Sequence, residues 1–147
     1  MSSTIHASAA LVGPRAVLIR GPVGSGKSQL VLALLAAART GLLPFARLVT
    51  DDRAIVEPVN GRLLVRPPEA LAGLVEIRGL GVRRIPYEPL AVVGWVVDLD
   101  ASDAERLPEP PSETTIGGVV LPRLALPRGA APLSAVLAAI GAIGVER

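Results

Sequence analysis

The sequence predicts an α/β fold, a mixed β-sheet with flanking helices, organised around a phosphate-binding loop. Three observations predict it. Gly21-Pro22-Val23-Gly24-Ser25-Gly26-Lys27-Ser28 satisfies G-x-x-x-x-G-K-[ST] in full. The loop is entered from an apolar run and left through a helical pattern. The remainder of the chain is mostly strand and turn, which favours a mixed sheet over a regular doubly wound one.

Taken in order, Arg15–Arg20 reads as a short buried strand running into the loop. Residues 28–39 read as a helix with Gly41 as its C-terminal stop. Leu48-Val49-Thr50 reads as a buried strand ending at Asp51-Asp52. Residues 54–58 and 62–66 flank Asn60-Gly61, a strong hairpin signal. Pro67-Pro68-Glu69-Ala70 opens a short turn or helix, Leu74–Ile77 is a strand, and Arg78-Gly79-Leu80-Gly81 is a loop. Residues 91–99 form the longest strand candidate. Residues 107–111 are proline-rich and belong on the surface, 119–121 and 123–126 are two short strands, and 133–143 are a terminal helix.

At 147 residues the chain is expected to form one domain over 1–147 with a substantial core. Half the residues are apolar, yet there is one Phe, one Trp and one Tyr, so Leu, Val, Ile and Ala must build that core. Cysteine is absent, which excludes a disulfide framework and a thiolate metal site. No basic segment followed by an apolar run marks a signal peptide. The longest apolar stretches fall short of the roughly 20 residues a membrane helix needs, so no membrane span and a cytoplasmic location are expected. The net charge of +2 comes from scattered arginines without interleaved aromatics, which argues against nucleic-acid binding.

The loop carries the most specific chemistry. Its glycines let backbone N–H groups turn toward phosphate oxygens, and the helix N-terminus that follows favours the anion. Lys27, the only lysine of the chain, supplies a point charge for the outer phosphates, and the Ser28 hydroxyl suits Mg²⁺. Asp51 and Asp52 stand at the end of an apolar strand, where α/β sheets place ligands. If the backbone stays extended there, the two carboxylates face opposite ways and have different roles, although a solvated turn is an equal alternative. Glu76 interrupts the apolar strand Leu74-Val75-Glu76-Ile77, so it is either a buried metal ligand beside Ser28 or an outward-facing strand residue. His6 is the only histidine and, by itself, reads more readily as structural or exposed than as catalytic.

Together these residues resemble the catalytic domain of the bifunctional HPr kinase/phosphorylase. The matching pattern runs from His6 through the loop, Leu48-Val49-Thr50-Asp51-Asp52 and Val75-Glu76-Ile77-Arg78-Gly79-Leu80-Gly81 into Leu121-Pro122-Arg123-Leu124-Ala125-Leu126-Pro127. Glu76-Ile77-Arg78-Gly79-Leu80-Gly81 is the family's signature and is far more specific than the loop. The resemblance implies a P-loop kinase core of the type shared with phosphoenolpyruvate carboxykinase. It implies an ATP- and Mg²⁺-dependent serine kinase acting on HPr, a small phosphocarrier protein of the phosphotransferase system, in an assembly of identical chains. Residues 21–28 would bind ATP, with Lys27 on the phosphates. Ser28 and Glu76 would hold Mg²⁺. Asp52 would be the general base, with Asp51 and His6 beside it, and Arg106 would be a later active-site arginine. A nucleotide-sensing module with little or no kinase activity is the alternative.

Departures from the family pattern carry expectations of their own. With the loop already at Gly21, the chain resembles the short alphaproteobacterial branch and is expected to lack the family's N-terminal regulatory domain, and residues 40–47 are a few longer than usual. Where the family has Pro-Val-Arg-Pro-Gly-Arg, a loop associated with dephosphorylation, this chain has Pro127-Arg128-Gly129-Ala130-Ala131-Pro132. One arginine is displaced and the other is lost, so weak phosphorylase activity is expected. A guanine-specific switch is disfavoured because Asn-Lys-x-Asp needs a second lysine. Phosphoenolpyruvate carboxykinase chemistry leans on further lysine and histidine that the chain lacks.

Overall fold

Small side chains begin the fold. In the computed structural model, which describes residues 1–104 and 112–141, Ser3–Val12 forms β1, the longest strand. It corrects the assignment of that rank to residues 91–99. Its run of Ala7, Ser8, Ala9 and Ala10 is fully buried although none of these residues favours strands intrinsically. Their small volume lets neighbouring layers approach from both faces.

The other elements follow in order. They are β2 (Arg15–Arg20), α1 (Lys27–Arg39), β3 (Ala46–Thr50), β4 (Arg53–Val59) and β5 (Arg62–Arg66). A single 3₁₀ turn at Glu69–Leu71 leads to β6 (Leu74–Ile77) and β7 (Gly81–Arg84). The chain continues through β8 (Ala91–Asp98), β9 (Glu113–Ile116), β10 (Val119–Ala125) and α2 (Pro132–Ala139). The Asn60-Gly61 hairpin joins β4 to β5 as expected, both turn residues having positive φ. The loop expected at 78–81 ends in β7, which pairs with β6 in a separate two-stranded sheet. Residues 119–121 and 123–126, expected as two strands, are joined through Pro122 into one, Val119–Ala125, that stops short of Leu126. Pro122 is tolerated because β10 changes partner there: Val119 to Pro122 pair with β9, and Arg123 to Ala125 pair in parallel with β8.

The main sheet is mixed. β2, β8 and β10 run parallel, with β8 between the other two, while β1 pairs antiparallel with β2, β3 and β4. β1 changes partner along its length, pairing β4 over Ser3 to His6 and β2 from Ala7 onward. β8 does the same, from β5 at Ala91 and Val92 to β2 and β10 beyond. The period-2 alternation of these strands therefore divides the interior in two. Val17, Ile19, Leu48 and Val97 pack with α1 residues Leu30, Val31 and Leu34. Ala16, Leu18, Val49 and Val96 pack against the β4–β5 hairpin through Val56, Leu63 and Val65. Because β2 is covered on both faces, it reads in sequence as an unbroken apolar run. Among the described residues no helix is long and apolar enough to cross a membrane.

Candidate active site

β2 delivers the chain to the glycine loop at the carboxyl edge of the parallel strands, the usual place for a ligand in such sheets. Gly26 is the residue before α1 and has φ 100, a conformation that a side chain would strain. Gly21 is needed for close approach, since a Cβ there would lie 2.4 Å from Ser25 Oγ. That hydroxyl is buried and has no hydrogen-bond partner among the described residues. No side chain caps α1, and its first turn holds no acidic residue, so its leading N–H groups are not neutralised by the protein itself. An uncapped helix start behind a loop of positive-φ glycines and an orphaned hydroxyl fits a bound anion.

Lys27 is buried, 8% exposed, and its Nζ donates to the carbonyl oxygens of Gly21 at 2.9 Å and Pro22 at 3.3 Å. The next residue, Ser28, donates through Oγ to Asp51 Oδ1 at 2.7 Å. Asp51 is itself buried at the end of β3 and accepts two further hydrogen bonds. Ser8 Oγ donates to Oδ1 at 2.8 Å, and the Glu76 backbone N–H donates to Oδ2 at 3.1 Å. One carboxylate thereby ties β1, β3, β6 and the start of α1 together.

Asp52 behaves differently. β3 ends at Thr50, and Asp52 takes φ 70, so the chain does not stay extended through the pair. The opposite-face geometry expected from strand alternation is replaced by a turn, in which Asp is a tolerated left-handed residue. The Asp52 backbone N–H donates to Ser8 Oγ at 3.0 Å, while its side chain is exposed. Asp51 and Asp52 nonetheless line one cleft of about 250 Å³ with Lys27, Ser28 and Glu76. Arg78 also lines it, and Val23, Gly24, Gly26 and Gln29 complete it from the loop and the start of α1.

The remaining candidates are placed less centrally. Gly21 and Pro22 act through their carbonyls on Lys27, and Ser25 lines a neighbouring cavity. Glu76 is exposed on β6 while Val75 beside it is buried, so the outward-facing alternative holds, and outward here means into the cleft. His6 is exposed on β1 opposite Arg53 and does not line the cleft. Arg106 lies outside the described residues. No group of three or more His, Asp or Glu side chains converges among the described residues. The all-oxygen set of Ser28, Asp51 and Glu76 suits Mg²⁺, which keeps several waters and needs few protein ligands. Sequence reasoning missed Ser8 and Gln29, and it read Arg78 as a loop residue within the signature stretch rather than as a lining of the cleft. A serine set within alanines in a buried strand was the available signal for Ser8.

Behind the loop, an ion-pair network holds the strand ends. Arg20 Nε and Nη2 donate to Asp98 Oδ1 and Oδ2 at 2.7 and 2.8 Å. Arg123 Nε also donates to Asp98 Oδ2, and its two Nη atoms reach Asp103 at 2.9 Å each. Burial pushes the Asp98 carboxyl up, but the hydrogen bonds and charges of Arg20 and Arg123 together outweigh it, leaving it below the ordinary carboxylate range. The Asp103 hydrogen bond, then that of Asp98, pushes the Arg123 guanidinium up. A depressed folded-state carboxyl stabilises the fold above its unfolded value, and that contribution is lost as pH falls through the folded one. Asp98→Asn should therefore lower the urea midpoint at pH 7 and shrink the parent's loss of stability on acidification below about pH 4. Parallel midpoint-against-pH curves for parent and variant would overturn this role for Asp98.

No family model matches the chain. It is 38% identical over 66 residues to the HPr kinase/phosphorylase of Clostridium beijerinckii, a stretch covering 45% of this chain and 20% of that protein. It is 34% identical over 70 residues to the HPr kinase/phosphorylase of Clostridium tetani, covering 48% of this chain and 21% of that one. The matched stretch is thus about a fifth of those relatives' length. Among solved structures, the Hpr(Ser) kinase/phosphatase from Coxiella burnetii superposes with a TM-score of 0.76 at 24% identity, covering 94% of this chain and 95% of that one. In sequence over a little under half its length, and in fold over nearly all of it, the chain is similar to the HPr kinase/phosphorylases.

Proposed function

We propose that the protein is a cytoplasmic, ATP- and Mg²⁺-dependent serine kinase whose substrate is an HPr-type phosphocarrier protein. The observation that carries this reading is the division of labour between two adjacent carboxylates in one cleft. Asp51 is engaged by three donors and holds Ser28 in place, whereas the Asp52 carboxylate lines the same cleft exposed and without a hydrogen-bond partner among the described residues. A nucleotide-binding module needs the first but has no use for the second.

The chain's own groups then have distinct tasks. Lys27 and the leading N–H groups of α1 hold the phosphates of ATP. Ser28 and Glu76 hold Mg²⁺, which neutralises charge on the phosphates when bound. Asp52 takes the proton from the incoming serine hydroxyl as its oxygen bonds to the γ-phosphorus and ADP departs. The buried Asp51 keeps Ser28 and β6, and through β6 Glu76, at fixed positions. The test is transfer of radiolabelled phosphate from ATP to the HPr of the same organism, against a control HPr with its acceptor serine replaced by alanine. Label that never reaches HPr, or reaches both equally, would overturn the reading.

Phosphorylase activity should be weak. Attack of inorganic phosphate on phosphoserine brings two anions together, and their repulsion calls for arginine forks. Arg128, the arginine kept in the altered loop, has a side chain 91% exposed and lies 3.8 Å from Asp100 rather than in the cleft. Phospho-HPr incubated with enzyme, Mg²⁺ and excess phosphate is expected to yield little pyrophosphate. Release at a rate comparable to the forward reaction would refute this, and Arg78 on the cleft wall would then be the cation to test.

A further inference from the structure

Ser8 occupies a gap between two strand pairings. β1 pairs with β4 up to His6, opposite Arg53, and with β3 from Ala9, opposite Thr50. Ala7 and Ser8 fall between the two, and the chain that turns from β3 into β4 beside them is Asp51-Asp52. We propose that Ser8 is a positioning residue for the reaction: its hydroxyl holds the turn that sets the Asp52 carboxylate in the cleft. The assignment rests on the kinase reading above. Ser8 itself is fully buried and lies outside the cleft lining, so it acts through Asp52 and does not touch substrate.

The turn needs holding. Arg53 N–H donates to Asp51 O at 2.8 Å across Asp52, whose φ is 70. A three-residue turn closed across a residue of positive φ is rare and strained. Strain of this kind lasts only where the surrounding contacts over-determine it. Ala7 N–H donates to Asp52 O at 3.1 Å, and Asp52 N–H donates to Ser8 Oγ at 3.0 Å, so β1 holds both backbone polar groups of Asp52. Thr50 Oγ1 donates to Arg53 O and closes the turn from its other end. Among the described residues, Ser8 is the side chain that meets both aspartates. Its one proton goes to Asp51 Oδ1 at 2.8 Å, which leaves a lone pair for Asp52 N–H. Packing alone does not call for that hydroxyl, since Ala7, Ala9 and Ala10 fill equally buried places on the same strand.

The experiment separates hydrogen bonding from packing, and Asp52 from Asp51. Transfer of label from ATP to HPr is measured for the parent, Ser8→Ala, Ser8→Cys, Asp52→Asn and the double variant Ser8→Ala with Asp52→Asn. Cysteine keeps the shape of serine, but its thiol is a weak donor and acceptor. Ser8→Ala and Ser8→Cys should each lower kcat by about tenfold or more, as displacement of a reacting group does, with the KM for Mg²⁺·ATP within about twofold of the parent. In the Asp52→Asn background, Ser8→Ala should cost less than about twofold further, because the carboxylate it positions is gone. A parent rate in either Ser8 variant would overturn the proposal. An equal loss in both backgrounds would also overturn it, since Ser8 would then act through Asp51 and Ser28. Hydrogen exchange at the Asp52 amide gives a readout independent of catalysis. It should be faster in Ser8→Ala, and equal exchange in variant and parent would overturn the hold of Ser8 on the turn. A parent that transfers no phosphate would instead overturn the kinase reading, and the positioning role of Ser8 with it.

Discussion

Lys27→Ala is expected to lose phosphoryl transfer by at least about 10²–10³-fold, the range for removing one positioned charge-stabilising donor. The Lys27 ammonium already sits over the loop, held by the carbonyls of Gly21 and Pro22. No other lysine exists to replace it. Arg78, the other cation lining the cleft, enters from the β6–β7 turn rather than from the loop. A bound phosphate would exchange the two carbonyl contacts for a stronger, charge-assisted one. Because Lys27 is buried, its removal also takes packing from the start of α1. Lys27→Met retains most of the aliphatic stem and should lose activity to the same extent with a smaller change in the thermal midpoint. Initial rates of label transfer to HPr read the first effect and calorimetry reads the second. Normal transfer by either variant would sink the loop's assignment.

Asp52→Asn is expected to bind Mg²⁺·ATP like the parent and to transfer phosphate about 10²–10⁴-fold more slowly, the usual worth of a positioned base. Its side chain is exposed and makes no hydrogen bond or ion pair among the described residues, so the urea midpoint should hold within about 0.5 kcal/mol of stability. Asp51→Asn makes the contrast. It leaves one oxygen where Ser8, Ser28 and the Glu76 N–H now share two, so it should lower stability as well as activity. Glu76→Gln should act through the metal, raising the Mg²⁺ concentration needed for half-maximal rate. If Asp52→Asn matches the parent rate, Asp52 is a structural turn residue and Asp51 becomes the candidate base.

Elements whose signals are local could be read from the residues alone. The Arg15–Arg20 strand, the glycine loop and the helix ending near Gly41 were legible because loop chemistry and helix termination depend on neighbouring residues. The same holds for the Asn60-Gly61 hairpin and for Leu74–Ile77. The mixed sheet followed from the scarcity of helices between strands. The lining of the cleft was legible too: Lys27, Ser28, Asp51, Asp52 and Glu76, each singled out by motif or by place on a strand, come together in it.

Contacts between distant residues and the direction of side chains came instead from packing of the whole chain. β1 escaped notice because its alanines and serine carry no strand propensity; layers on both faces bury them and make them a strand. Ser8 meets Asp51 across 43 residues, and Asp51 meets the Glu76 backbone across 25. Which of two adjacent aspartates is buried and which is exposed turned on where β3 stops. One residue of strand more or less would exchange their faces, and the turn at Asp52 settles it through pairings that local sequence does not encode. The cavity beside the loop exists for the same reason: three strand ends far apart in the chain are brought to one edge by parallel pairing, which is a property of the whole sheet.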